Sequence, residues 1–200
     1  MTESTVSRVA VRRARAEREI LDAAWAQMAR EGVAALSVRE VARSVGIRQQ
    51  SLTYYFATKQ ALLDALFADG FADLRRRFDR LSAATDPVQG VVDVALAFVD
   101  HLVARPAVYH LMFQGTVPGF EPSAESHAIA LTVLHELAER LAAAGVTRAA
   151  DIALVRSLMS GLVAEQIANE PTGHLFTDQT ERGIRAVLRA IRSQADQALA

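Results

Sequence analysis

Residues 37–59 read SVREVARSVGIRQQSLTYYFATK, and this stretch decides the fold. Ser37 is a strong helix N-cap, and Glu40, three residues on, completes the pattern of a capping box. Val38, Val41, Ala42 and Val45 follow at helical spacing. Gly46 then permits the left-handed backbone that a sharp turn requires, and Ile47 and Leu52 restart an apolar face. These offsets are those of a helix-turn-helix. Ala42 is small where two helices cross, Gly46 sits in the turn, and Val41, Ile47 and Leu52 fill the space between. Two short amphipathic helices joined by glycine are common, so the pattern gains its weight from what surrounds it.

The second helix opens with four consecutive polar side chains, Arg48, Gln49, Gln50 and Ser51. A helix fits the major groove of DNA with its N-terminal side chains at the base edges, where Arg pairs bidentately with guanine and Gln with adenine. Four such side chains in a row are wasteful on a purely structural helix. Tyr54, Tyr55 and Lys59 lie further along, placed for phosphates, and Arg39 at the start of the preceding helix is another candidate. The structural alternative packs Tyr54 or Tyr55 between helices. Phe56 is expected in the core.

Upstream, residues 1 to 10 read as a loose tail and 12–30 as a first helix, with Ile20, Leu21, Ala24, Trp25 and Met28 as its apolar stripe and Gly32 as its stop. Trp25 lies on that stripe and is expected in the core. Arg8, Arg12, Arg13, Arg15 and Arg18 crowd its start, where positive charge opposes the helix dipole and invites an outside anion. Downstream, Leu63, Phe67, Phe71, Leu74, Phe78 and Leu81 define a fourth helix over 59–81. Gly70 inside it serves either a bend or a close approach. Further helices are expected over 88–104, 107–114, 123–144, 148–169 and 177–197, with the segment 115–122, GTVPGFEP, as a loop.

The whole chain is consistent with this pattern. Its 200 residues suit a small domain and a larger one, 51% hydrophobic content supports a sizeable core, and there is no cysteine. The first twenty residues lack the apolar core of a signal peptide. The longest apolar run, 91–103, is interrupted by Asp93 and Asp100, so no membrane span is expected and the reading is a soluble, cytoplasmic protein. Residues 1–59 hold ten Lys/Arg against six Asp/Glu, the remainder twelve against seventeen. That asymmetry points to contact with a polyanion in the first third alone, with chance as the alternative for so modest an excess.

Gly46-Ile47, then Ser51-Leu52-Thr53-Tyr54-Tyr55-Phe56, then Lys59-Gln60-Ala61-Leu62-Leu63 resembles the signature of TetR-family transcriptional repressors. That signature is a Gly-apolar turn, an LYxHF-like recognition helix and an xxKxxLL segment, and the resemblance covers residues 12–66. Two positions depart from it. The family usually has Tyr where Thr53 stands, and often His where Tyr55 stands. Thr53 keeps a hydrogen-bonding hydroxyl with shorter reach.

The resemblance implies an all-α fold of about nine helices. A three-helix helix-turn-helix DNA-binding domain (1–58) would precede a larger helical ligand-binding and dimerisation domain (59–200). It implies a homodimer that reads a palindromic duplex through Arg39, Arg48, Gln49, Gln50, Ser51, Thr53, Tyr54, Tyr55 and Lys59. It further implies a small apolar or aromatic effector, with Phe67, Phe71, Phe98, His101, Tyr109, His110, Phe113, Phe120, Met159 and Gln166 as candidate lining. Each is otherwise ordinary core. Effector binding would act by shifting the fourth helix, which carries Lys59 and braces the recognition helix. The last two helices are expected at the dimer interface, through Leu154, Leu158, Gly161, Leu162, Ile184, Val187, Leu188 and Ile191, with packing inside the monomer as the alternative. No cofactor or metal is expected, because the histidines lack the spacing of a helical metal pair. No GxSxG, GxGxxG, P-loop or HExxH appears, so an enzyme is not expected. A helical adaptor without DNA contact would keep the fold and leave residues 48–51 without purpose.

Overall fold

The computed structural model describes residues 8–82 and 84–199, without the side chains of residues 195, 196, 198 and 199. Up to residue 7 the expected tail lies outside the described chain, and residues 8–10 are already helix. The described residues form α1 (Arg8–Glu31), α2 (Val38–Ser44), α3 (Gln49–Leu52), α4 (Lys59–Phe78), α5 (Pro87–Val103), α6 (Pro106–Phe113), α7 (Ala124–Ala143), α8 (Ala149–Asn169) and α9 (Thr180–Leu199). Single 3-10 turns stand at Val33–Ala35 and Thr177–Gln179. This is the expected all-α architecture in the expected order. No described helix is long and apolar enough to cross a membrane.

One compact unit comprises Met1–Gly70 and Ala107–Ser126, described from residue 8 onward. Its core gathers Ile20, Ala24, Trp25 and Met28 of α1, Val41 and Ala42 of α2, Leu52 of α3, and Leu62, Leu63 and Leu66 of α4. Burying each large apolar side chain contributes about 1.5–3 kcal/mol. Trp25 takes its core place, and its Nε1 donates to Asp69 Oδ2 at 2.9 Å. Asp69 also accepts from both terminal nitrogens of Arg18, at 2.5 and 3.1 Å, so one carboxylate of α4 fastens α1 at two points.

Gln60, Asp64 and Phe67, on successive turns of α4, hold the segment 119–126. Gln60 Nε2 donates to the Gly119 carbonyl at 2.8 Å, and the Phe67 and Phe120 rings meet edge to face at 6.2 Å. The Asp64 carboxylate accepts the Ser123 N–H (2.7 Å) and the hydroxyls of Ser123 (2.8 Å) and Ser126 (2.9 Å). Burial pushes the Asp64 carboxyl up, but the hydrogen bonds from Ser123 and Ser126 outweigh it and hold it below its ordinary value. Gly70 serves a close approach: a Cβ there would stand 2.6 Å from Met112 Sδ of α6. These contacts group the first half of α4 with α6 and the segment 119–126.

The second unit comprises Phe71–Pro106 and His127–Ala200, described to residue 199. Asp86 caps α5 by accepting the N–H groups of Val88 and Gln89 at 3.1 and 3.3 Å, and Pro87 supplies the first helical residue. α5 packs on α8 and α9 and buries Val91, Val92, Ala95, Phe98, Val99 and Leu102, the stripe its sequence pattern marks. Gln166 of α8 is fully buried and clamps the loop that follows. Its amide nitrogen donates to the carbonyls of Glu170 and of Gly173, the latter at 2.9 Å. Its amide oxygen accepts the N–H groups of Phe176 and Thr177 at 3.0 and 3.1 Å.

Candidate nucleic-acid interface

The Ser37 hydroxyl accepts the Glu40 N–H at 3.4 Å, the first half of a capping box. The second half runs through α1. Gln27 Oε1 accepts the Ser37 N–H at 3.1 Å, and Gln27 Nε2 donates to Glu40 Oε2 at 2.8 Å. A buried amide from the neighbouring helix thus completes the cap and fixes where α2 begins.

α2 ends in a Schellman motif. The Gly46 N–H donates to the Arg43 carbonyl at 3.2 Å and the Ile47 N–H to the Ala42 carbonyl at 3.0 Å, with Gly46 at φ 72°. That φ is in the left-handed region, which suits glycine. Ala42 is buried at the α2–α3 crossing, Val41 and Leu52 are buried, and Ile47 is half-buried. The turn therefore presents α3 with only Leu52 inward.

Arg48, Gln49, Gln50 and Ser51 are all exposed, as are Arg39, Thr53, Tyr54 and Lys59, while Tyr55 is half-buried. The four polar residues stand together at the N-terminal end of α3. Thr53 Oγ1 donates to the Gln50 carbonyl at 2.7 Å, which leaves its oxygen lone pairs to accept. Tyr54 is 70% exposed and meets Tyr55 edge to face at 5.4 Å. An exposed tyrosine hydroxyl suits a phosphate oxygen, whereas Tyr55 shares its ring with the fold. Phe56 is in the core, as expected. One signal was present in the sequence and missed: between residues 41 and 63 there is no Asp or Glu, while Arg43, Arg48 and Lys59 lie within it. A surface for a polyanion needs that absence of carboxylates.

The arginines at the start of α1 do not all await an outside anion: three of the five are paired, whereas Arg8 and Arg12 have no ion-pair partner among the described residues. Arg13 pairs with Glu17 at 2.8 Å, Arg15 with Glu19 at 3.0 Å, and Arg18 with Asp22 at 2.8 Å as well as with Asp69. The i, i+4 spacing of acid and base satisfies them within the helix.

The candidate effector residues divide between the units. Phe67, Tyr109, His110, Phe113 and Phe120 belong to the first, and Phe71, Phe98, His101, Met159 and Gln166 to the second. In the first, Tyr109 stacks on Phe113 with ring centroids 5.9 Å apart, and its hydroxyl accepts from Gln114 Nε2 at 3.1 Å. His110 Nδ1 is buried without a hydrogen-bond partner among the described residues. In the second, Gln166 has both ends of its amide occupied by the loop it clamps. His101 Nε2 lies 3.4 Å from Asp73 Oδ2 in a charge contact that lacks hydrogen-bond geometry. Burial lowers the His101 pKa; Asp73 raises it, and Arg105 and Arg77 lower it further, leaving it below its ordinary value.

The candidate interface residues also separate. Ile184, Leu188 and Ile191 are buried within the monomer, where α9 packs on α5 and α8, so their apolar faces are already covered. Periodicity marked them as buried without naming the cover. Leu154 and Gly161 are exposed, Leu158, Leu162 and Val187 half-buried. Among the described residues, nothing beyond the adjoining residues and backbone of its own helix lies within 4 Å of where a Cβ on Gly161 would stand.

Comparison with known proteins agrees with this geometry. Residues 20–66 match the family model described as bacterial regulatory proteins, tetR family. The chain is 28% identical over 131 residues to the HTH-type transcriptional regulator Rv1816 of Mycobacterium tuberculosis, covering 64% of this chain and 56% of that one. It is 32% identical over 95 residues to the HTH-type transcriptional repressor KstR2 of the same species, covering 46% and 48%. The chain thus spans about half the length of the curated relatives it matches. Among solved structures, the TetR-family regulator PfmR from Thermus thermophilus superposes with a TM-score of 0.67 at 19% identity, covering 85% of this chain and 97% of that one. A TetR variant from Acinetobacter baumannii in complex with minocycline superposes with 0.60 at 21% identity, covering 88% and 95%. The signature residues and their exposure on α3 are thus similar to the TetR family of bacterial regulatory proteins, whose model matches residues 20–66, and the all-helical fold of the described residues is that of solved TetR-family regulators.

Proposed function

We propose that the chain is a sequence-specific DNA-binding transcriptional regulator of the cytoplasm, a homodimeric repressor that reads a palindromic operator. The observation that carries this reading is the exposure of Arg48, Gln49, Gln50 and Ser51 together at the leading end of α3, on a turn held by Gly46 and a cap held by Gln27. Arg48, Gln49 and Gln50 read base edges, where the Thr53 oxygen accepts from a base amino group; Arg39, Ser51, Tyr54 and Lys59 hold phosphates, and Tyr55 supports Tyr54. The repressor assignment draws on KstR2, which bears that name.

Residues 1–58 serve DNA, and residues 59–200 serve dimerisation and a small apolar or aromatic effector. Support for an effector comes from the aromatic cluster around the buried Tyr109, with its unpartnered His110 Nδ1, and from the minocycline complex of a protein with this fold. α4 runs unbroken from Lys59 to Phe78 and is the element through which the effector acts on DNA affinity. The two copies meet through the outward faces of α8 and α9, with Leu154, Gly161 and Leu162 as contacts.

Selection of bound duplexes from random sequence tests the reading. The wild-type chain recovers an inverted repeat, with half-sites spaced for two recognition helices in successive major grooves. A helical adaptor recovers no common sequence, and its DNA binding, if any, ranks all duplexes alike.

A further inference from the structure

The first eight residues of α1, Arg8 to Arg15, are all exposed, and the first half-buried residue is Ala16. At 1.5 Å per residue, roughly 12 Å of helix stands clear of the core. This overhang holds Arg8, Arg12, Arg13 and Arg15, and within the helix no carboxylate occurs before Glu17. Arg13 and Arg15 pair with Glu17 and Glu19 one turn on. Arg8 and Arg12, a turn apart on one face, have no ion-pair partner among the described residues. Like charges four residues apart repel, and positive charge at a helix start opposes the dipole. The overhang therefore has neither a core nor a full set of charge partners of its own. A line of negative charge beside it supplies the missing partners.

Its position says which line of charge. The Arg13 guanidinium lies over the Tyr54 ring, 5.4 Å from the centroid. Tyr54 belongs to the exposed surface at the far end of α3. The overhang thus leaves the unit from the margin of the surface that reads DNA.

We infer that the first two turns of α1 are a second DNA-contacting element, with Arg8 and Arg12 on backbone phosphates flanking each half-site. The inference rests on the DNA-reading role of α3 given above. Phosphate contacts carry no base information, so these arginines lengthen the footprint and steepen the salt dependence without changing which sequence is preferred.

The test measures affinity against salt for the wild type and for Arg8→Ala/Arg12→Ala, on a duplex the wild type has selected and on a scrambled one. Both residues are exposed, so the variant keeps its fold, which circular dichroism checks. The slope of log Kobs on log salt falls by about 1.8 per protomer in the variant, since each phosphate neutralised contributes about 0.9. The ranking of selected over scrambled duplex stays the same. Arg8→Lys/Arg12→Lys restores the slope. Trimming the duplex to the repeat alone reproduces the loss in the wild type and adds nothing in the variant. An unchanged slope in the alanine variant, or a wild type indifferent to trimming, overturns the inference. If the wild type binds duplex without selecting a sequence and the variant still loses slope, the α3 reading fails while the α1 contact stands. If the wild type binds no duplex, both fail.

Discussion

Gln27 Oε1 accepts the Ser37 N–H at 3.1 Å, and through it a buried side chain of α1 sets the start of α2. Gln27 Nε2 serves Glu31 at 3.0 Å and Glu40 at 2.8 Å, so the one amide joins three separate partners. Gln27→Ala leaves the Ser37 N–H without its acceptor and opens a gap beside it, at a cost of about 1–3 kcal/mol. Ser37→Ala removes one cap bond and costs about 1 kcal/mol. Urea denaturation compares the two, and the Gln27 variant is the less stable. It also binds DNA more weakly, since α3 hangs from α2. Equal stability of the two variants would remove the bridging role.

Asp69 holds Arg18 and Trp25 at once. Asp69→Ala strands the indole N–H and destabilises the fold by about 1–3 kcal/mol, less than a fully buried pair because Arg18 is partly exposed to solvent. Asp69→Asn keeps an acceptor for the indole and loses less. Trp25 is the chain's single tryptophan, so its emission reports directly on this pocket. The alanine variant shifts that emission in the folded state and the asparagine variant shifts it less. Identical spectra and stabilities would contradict the arrangement.

Gly161 faces outward with open space around it. Gly161→Arg leaves the monomer folded, and gains up to about 1 kcal/mol of helix propensity. In a dimer built through α8 the arginine blocks the close approach. Sedimentation gives a monomer for the variant and a dimer for the wild type, with helical content unchanged. A variant that stays dimeric moves the interface elsewhere.

His101 governs the stability of the fold on the acid side of neutrality. Burial, with Arg105 and Arg77, holds it below its ordinary 6.5, against the pull of Asp73. In the window between the lowered folded pKa and 6.5, the unfolded chain binds more protons, so stability falls as pH drops below about 6.5 and this contribution levels off once the folded histidine protonates. Asp64 and Asp73 act lower. Both are held below 3.8, Asp73 against burial by the Arg76 hydrogen bond and the charges of His101 and Arg105. Their contribution is complete above 3.8 and is lost as pH falls through the folded values. Thermal melts from neutral pH to acid show both phases. His101→Gln flattens the upper phase and, by removing one of the charges that hold Asp73 down, weakens the lower one without abolishing it; an unchanged upper phase would assign it to another group.

Much of this was legible in the chain. Ser37, Gly46 and Leu52 act within a few residues of themselves, so cap, turn and plug follow from local spacing. Arg48 to Ser51 were legible as exposed because no apolar residue interrupts them. The bonds that fix the site were not. Asp69 meets Arg18 across 51 positions, and Gln27 meets Ser37 across ten, and no local period encodes such pairs. Gly70 announced that something needed room, but Met112 was the answer and lies on another helix. The periodicity of Ile184, Leu188 and Ile191 told that they are buried, and only packing tells that α5 and α8 help to bury α9.

The most direct measurement is a competition between the selected duplex and a scrambled one of equal length, for the wild type and for Gln49→Ala/Gln50→Ala. The wild type prefers its selected duplex by a wide margin. The double variant stays folded and dimeric, keeps its salt-dependent affinity for scrambled DNA, and loses about 1–3 kcal/mol of preference for each amide–adenine pair removed. A double variant that discriminates as well as the wild type would contradict the claim that the leading end of α3 reads the sequence.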